Sequence, residues 1–143
     1  MSVPFFDITY IVDDSTTARF IHSEIIKQLG VSEKIINSNS SIDALKSLII
    51  DLIDEKRVLL LLDIEMPILD GLNFLDIISE LRLKKSQLCV FIVSSRIGDN
   101  IARETLYHRL VQKILCKPIR KNEIEQELEL FYQGKDYLTQ KMF

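Results

Sequence analysis

The chain has 143 residues, 47% of them hydrophobic and 27% charged, with a formal net charge of −3. That balance provides one ordinary domain with a single core and excludes the disordered and fibrous classes. An acidic chain of this size has no electrostatic reason to grip a nucleic-acid backbone, and it lacks the basic region that an appended DNA-binding domain would add.

The first residues, Met1–Asp7 (MSVPFFD), contain no basic stretch leading into an apolar run, so no secretory leader is expected. Asp7–Val12 is β-branched and aromatic, which predicts a strand that Asp13–Asp14–Ser15 breaks. Ser15 is placed to cap a helix whose apolar positions are Ala18, Ile21, Ile25, Ile26 and Leu29, and Gly30 sits where a helix-terminating glycine belongs. Lys34–Asn37 predicts a short strand, and Ser40 or Ser41 caps a second helix with Ala44, Leu45, Leu48, Ile49 and Leu52 on one stripe.

Val58–Leu62 is an uninterrupted apolar run. It is far short of the roughly 20 residues of a membrane span, but it suits a strand buried on both faces. Together with the absent leader, this reads as a cytoplasmic chain. Leu72–Leu83 is expected to be helical, with Phe74, Leu75, Ile78 and Leu81 inward, and Leu88–Val93 is a second wholly apolar strand. Ile101–Leu110 is expected to be a helix and Val111–Cys116 a strand. Asn122 with Glu125 predicts a capping box for a last helix carrying Ile124, Leu128 and Phe131. Cys89 and Cys116 lie inside apolar runs and are read as core residues of a reducing compartment, since no His or second Cys stands at ligand spacing.

Five strands alternating with five helices predict an α/β domain with right-handed crossovers and helices on both faces of a parallel sheet. In such folds ligands bind at the carboxyl ends of the strands. Those ends carry Asp13 and Asp14, then Asp63, then Ser94 and Ser95, then Lys117. Singly each is an ordinary turn or loop residue; the coincidence of four strand ends with complementary chemistry points to a site. Unit charges about 4 Å apart repel by about 4 kcal/mol at an effective dielectric of 20, so three clustered aspartates require a cation. Mg²⁺, with its preference for oxygen ligands, suits them. A carboxylate oxygen could then attack phosphorus, with Lys117 and a serine hydroxyl receiving the phosphoryl oxygens.

Taken in order, Tyr10–Ser15 (YIVDDS), Leu60–Pro67 (LLLDIEMP) with Asp70–Gly71, Phe91–Ser95 (FIVSS) and Cys116–Ile119 (CKPI) resemble the receiver domain of two-component response regulators. The resemblance spans about residues 5–132 and places a receiver domain at 1–132, with 133–143 as a helix extension or tail. It implies a flavodoxin-like sheet of order 2-1-3-4-5. By the same resemblance Asp63 is the phosphoacceptor, and Asp13, Asp14, Asp63 and the Glu65 backbone carbonyl hold Mg²⁺. Lys117 pairs with the acceptor, Ser94 is the switch hydroxyl with Ser95 beside it, and Lys117–Pro118 is a cis peptide.

One departure concerns transmission, for Ile114 occupies the place where the family usually has an aromatic relay, and Tyr107 is the nearest aromatic alternative. Glu65 and Arg96 are expected to face each other across the mouth of the site. No second domain is expected after the receiver, so the output is read as a protein–protein contact, possible self-association included. Arg103, Tyr107, Arg109, Ile114, Arg120 and Lys121 would form its surface. A histidine kinase or phosphotransfer protein is the implied donor, and the chain is expected to catalyse only its own phosphorylation and slow dephosphorylation. Two other readings stand beside this one: a haloacid-dehalogenase-like phosphatase with Asp63 as nucleophile and Glu65 as second acid, and a pseudo-receiver that binds its partner without phosphorylation.

Overall fold

Strands with no polar alternation must be covered on both faces, and this requirement sets the architecture. In the computed structural model, which describes residues 4–95 and 108–134, the elements are β1 (Phe6–Val12), α1 (Thr16–Leu29), β2 (Ser32–Ser38), α2 (Ser41–Ile53), β3 (Val58–Asp63), α3 (Gly71–Ile78), β4 (Leu88–Ser94), β5 (Val111–Cys116) and α4 (Lys121–Tyr132). The sheet has five strands in the order β2-β1-β3-β4-β5, and every pairing is parallel. The expected flavodoxin-like α/β fold is therefore present.

The period-two alternation of the strands divides the core. Leu60 and Leu62 of β3 join Tyr10, Leu48, Phe74 and Ile92 under α2 and α3. Leu59 and Leu61 join Ile11, Phe91, Ile26 and Leu128 under α1 and α4. Fully burying each such side chain contributes about 1.5–3 kcal/mol, so β3, apolar on both faces, is the spine of the domain.

Four helices lie among the described residues, where five were expected. The remaining expected helix, Ile101–Leu110, lies mostly outside the described residues, and at its end Arg109 and Leu110 form a turn into β5. The α3 helix stops at Ile78 rather than continuing to Leu83. Its last turn tightens through Glu80 N–H to Ile77 O and Leu81 N–H to Ile78 O, and the Ser79 hydroxyl donates to Asp76 O at 2.6 Å. Arg109 then donates to Ser79 O at 2.6 Å and closes that end.

The expected capping box of the last helix is also absent. Arg120 stands at the N-cap with no side-chain cap bond. Instead, Ile119 before the cap and Ile124 in the first turn are both buried in the same cluster, a hydrophobic staple that sets how the chain enters the helix. Ser15 and Ser40 cap α1 and α2 as the sequence indicates. At the other end of α4, Gly134 takes φ 75° and its N–H donates to Phe131 O, which closes the helix; residues 135–143, expected as a helix extension or tail, lie outside the described residues. Cys89 is buried, but Cys116 is exposed, because it ends the edge strand β5 beyond the inward-facing Leu115.

The inner face of α1 holds a surprise in its composition: His22 and Ser23 are buried beside Ile26. The His22 Nε2 has no hydrogen-bond partner. Burial pushes the His22 imidazole below its ordinary value, with the charge of Asp13 opposing and that of Lys117 adding to the fall. The unfolded chain therefore takes up this proton first, and stability is lost as pH falls below about 6.5. His22→Leu should raise stability at pH 7 by about 1 kcal/mol, since it removes an unsatisfied buried group. In denaturant titrations the difference between variant and wild type should widen as the solution is acidified.

Gly71 opens α3 against the backbone of the loop after β3. A Cβ there would stand 3.0 Å from Ile64 Cα and 3.4 Å from Asp63 O, both backbone atoms. Gly71→Ala should cost about 1–3 kcal/mol, read as a lower denaturation midpoint.

Candidate functional site

The strand order reverses between β1 and β3, and this is where a doubly wound sheet opens a crevice at its carboxyl edge. Asp13 follows β1 there. Its N–H donates to Ser38 O at 3.0 Å and its Oδ1 accepts the Ser15 N–H at 2.9 Å, so the carboxylate is fixed by the same turn that starts α1. Arg19, one turn into α1, donates to Asp13 O at 2.7 Å and holds that turn from the helix side.

Asp63 ends β3 and is 5% exposed. Its Oδ1 accepts the Glu65 N–H at 3.1 Å. Gly71 N–H donates to Ile64 O at 3.0 Å, which pins the base of the β3–α3 loop. Lys117 follows β5, and its backbone N–H donates to Ser94 O at 3.0 Å, an extension of the β4–β5 ladder. Its Nζ reaches Asp13 Oδ2 at 2.7 Å and Asp63 Oδ2 at 3.1 Å. Three crossover connections thus deliver one ammonium group and two buried carboxylates to the same point.

Asp14 is exposed and completes the acidic set: oxygens of Asp13, Asp14 and Asp63 lie within 4.8 Å of one another. Three carboxylates against one ammonium leave a formal excess of two negative charges. Burial raises the Asp63 pKa and the charge of Asp13 adds to the rise, while the Glu65 N–H and Lys117 oppose it. Burial alone would lower Lys117, but the carboxylates of Asp13 and Asp63 overcome this and hold its ammonium above the ordinary value. Asp13 Oδ2 lies 2.7 Å from the Lys117 Nζ, and this close charged contact ties it to the ammonium. An oxygen-rich, net-negative cluster of three carboxylates fits a hard divalent cation.

The remaining residues singled out in the sequence divide clearly. Ser94 is buried at the end of β4, beside the Lys117 backbone, whereas Ser95 is exposed. The Glu65 side chain is exposed; Arg96, its expected counterpart, lies outside the described residues. The Lys117–Pro118 peptide is cis. Ile114 is partly buried against the α2–α3 side of the core. Arg103 and Tyr107 lie outside the described residues; Arg109 is exposed and bonded to Ser79 O at the end of α3, and Arg120 and Lys121 are exposed at the start of α4.

Arg19 and His22 were not picked out in the sequence, and Gly71 entered only as part of the Asp70–Gly71 pair. Arg19 and His22 sit at helix positions that look solvent-facing or ordinary until the turn and the neighbouring strand are in place. Gly71 had a visible signal, for it follows an aspartate that caps a helix, but its need for close backbone approach is a tertiary fact.

A family model for the response regulator receiver domain matches residues 9–129. The cyclic di-GMP phosphodiesterase response regulator RpfG of Xanthomonas campestris pv. campestris (strain 8004) is 32% identical over 114 residues, a match that takes in 80% of this chain and 29% of that protein. Among solved structures, the two component response regulator from Cytophaga hutchinsonii aligns with a TM-score of 0.74 at 20% identity, covering 90% of this chain and 98% of the other. The response regulator receiver protein from Dyadobacter fermentans DSM 18053 aligns with a TM-score of 0.70 at 22% identity, covering 87% and 97%. These structures share the fold. With the carboxylate–lysine site at the carboxyl edge of a 2-1-3-4-5 sheet, and a family model spanning nearly all of that sheet, the chain belongs to the response regulator receiver domain family.

Proposed function

We propose that this chain is a phosphorylation-controlled switch in which Asp63 accepts a phosphoryl group from a histidine kinase or phosphotransfer protein. The observation that carries the reading is the shared Lys117 ammonium, 2.7 Å from Asp13 and 3.1 Å from Asp63. It holds a buried nucleophile and a buried metal-ligand candidate in one electrostatic unit.

The oxygen of Asp63 that is not tied to the Glu65 N–H would attack phosphorus. The bond from phosphorus to the donor atom breaks, and the donor leaves with its electron pair. Lys117 would then face the transferred oxygens, and the Ser94 hydroxyl would turn toward them. Asp13, Asp14, Asp63 and the Glu65 carbonyl would hold Mg²⁺, which when bound supplies positive charge against the phosphoryl oxygens. The chain would catalyse its own phosphorylation and slow dephosphorylation and no other reaction. The phosphatase reading is not favoured: it needs an acid two residues after the nucleophile inside the site, and Glu65 offers its N–H to Asp63 while its side chain is exposed.

The added charge of about −1.5 to −2 would draw Ser94 and Lys117 inward and shift an existing equilibrium on the surface of β5 and α4. Arg120 and Lys121 make the start of α4 basic, which suits an acidic partner. With Ile114 in place of a ring, the coupling to that surface would run through aliphatic packing and the Lys117 backbone rather than through a rotating aromatic group.

Acetyl phosphate with Mg²⁺ should give a single hydroxylamine-labile phosphoryl adduct by intact mass, absent from Asp63→Asn. Multiple turnover of phosphate esters would instead support the phosphatase. A partner captured equally with and without beryllofluoride would support the pseudo-receiver.

Charge removal provides a second test. Since the Asp63 pKa is raised in the folded chain, its ionisation weakens the fold as pH rises. In Mg²⁺-free buffer, Asp63→Asn should therefore be more stable than wild type by on the order of 1 kcal/mol, the gain growing with pH and shrinking when Mg²⁺ is added. Lys117→Met should do the opposite, with a loss of roughly 1–3 kcal/mol because two buried carboxylates lose their counter-charge, and added Mg²⁺ should restore part of it. Thermal unfolding with and without Mg²⁺ measures both.

A further inference from the structure

The outer stripe of α2 changes character along its length. Asp43, Lys46 and Ser47 are polar and exposed, but the next two outward positions, Ile50 and Ile53, are aliphatic and each 67% exposed. Residues three apart on a helix are neighbours, so the two form one patch. A single exposed aliphatic side chain is ordinary; an adjacent pair beside apolar hollows marks a face that another surface can cover.

Charge is divided on either side of this patch. On one side, α2 and β2 border a groove of about 570 Å³ whose wall includes Ile50. Its five carboxylates, among them Asp7, Glu33 and Asp54, outnumber its two ammonium groups, Lys34 and Lys56. On the other side runs the segment Leu81–Lys85 (LRLKK), whose two leucines pack against the core while Arg82, Lys84 and Lys85 are exposed. A smaller hollow of about 230 Å³ lies between, with Leu52, Ile53, Leu81 and Leu83 in its wall. Glu55 and Lys84, both on that wall, pair with each other at 2.8 Å.

The order across the surface is therefore acid, then a neutral pair beside isoleucine, then base. Such an order is complementary to itself under a two-fold rotation. With the axis beside the Glu55–Lys84 pair, Arg82 and Lys85 of one copy face the acidic groove of the other, and the reciprocal contact forms at the same time. The two Ile53 side chains then cover each other near the axis. Among the described residues, Asp54, Arg82 and Lys85 have no ion-pair partner within their own chain, so all three are available to a second one.

We infer that the C-terminal end of α2 and the 81–85 segment form a two-fold interface with a second copy of this chain. Complementary charge sets the register of the two copies, and the isoleucines supply the buried apolar area. The surface lies at the amino ends of β3 and β4, whereas Asp63 ends β3 at the opposite edge of the sheet. Five steps of about 3.3 Å along β3 separate them, so association leaves the acidic site open. The inference is independent of the phosphoacceptor role proposed for Asp63.

Sedimentation velocity on the full chain, from about 1 μM to about 1 mM, reads the association. Wild type should pass from monomer to dimer within that range. Ile53→Ser, Asp54→Lys and Lys85→Glu all alter exposed side chains, and a cation at the C-terminal end of α2 suits the helix dipole. Thermal midpoints close to that of wild type check that each variant folds. Each should weaken the dimer about tenfold or more. An equimolar mixture of Asp54→Lys and Lys85→Glu should recover most of the loss, because both reciprocal contacts then pair opposite charges. Arg120→Glu, beyond the far edge strand β5, should leave the dimer unchanged. Variants that associate like wild type, a mixture no tighter than its components, or a dimer lost only in Arg120→Glu would overturn the interface. A wild type that stays monomeric throughout overturns it too, and leaves this face to a different protein.

Discussion

The structure depends on a conflict of like charges that one ammonium group moderates. Asp13, Asp14 and Asp63 are gathered within 4.8 Å by the ends of two adjacent strands, and Lys117, arriving from a third, touches two of them. Nothing in the hydrophobic core asks for this arrangement. The core would be as well satisfied with neutral residues at those strand ends, and the fold would be freed from an excess of two negative charges. The stability of the sheet carries the site, and on the proposed function a cation or phosphoryl group that changes the balance would act on the whole domain.

Placing the charges so closely requires a rigid frame, and the frame is mostly backbone. The Asp13 carboxylate is fixed by the Ser15 N–H, that of Asp63 by the Glu65 N–H, and Lys117 by the ladder bond to Ser94. Gly71 lets α3 approach the Asp63–Ile64 backbone more closely than any side chain would allow. The same rigidity projects Ile68 into solvent. Loop geometry that holds Asp63 on its inner side therefore builds a protruding apolar tip on its outer side.

The residues that would carry a signal away from Asp63 are less specialised than those that would receive it. Ile114 packs against the aliphatic core on the α2–α3 side rather than presenting a ring to Ser94. A close-packed interior responds to a local shift by rearranging between discrete packings, so an aliphatic route is physically sufficient for a switch. Arg109, bonded to the end of α3 at Ser79, joins the approach to β5 to that helix.

Much of this was legible in the order of residues. Apolar runs such as Val58–Leu62 can be buried only between two helical layers, so they specify the parallel sheet before any contact is known. Asp13, Asp63 and Lys117 stand directly after strands, which in such a sheet is enough to bring them to one edge. Local signals, by contrast, misplaced features that depend on neighbours distant in sequence. The end of α3 is decided by Arg109 and the Ser79 turn, the start of α4 by a staple between Ile119 and Ile124, and the exposure of Cys116 by its place at the end of an edge strand. The buried His22, the clamp of Arg19 on Asp13 O and the positive φ of Ile68 are likewise decisions of the tertiary structure. Sequence by itself determined which side chains must meet, because strand ends and hydrophobic periodicity are properties of short segments. The distances between those side chains, and the strain spent in holding them, were decided only when segments far apart in the chain packed against one another.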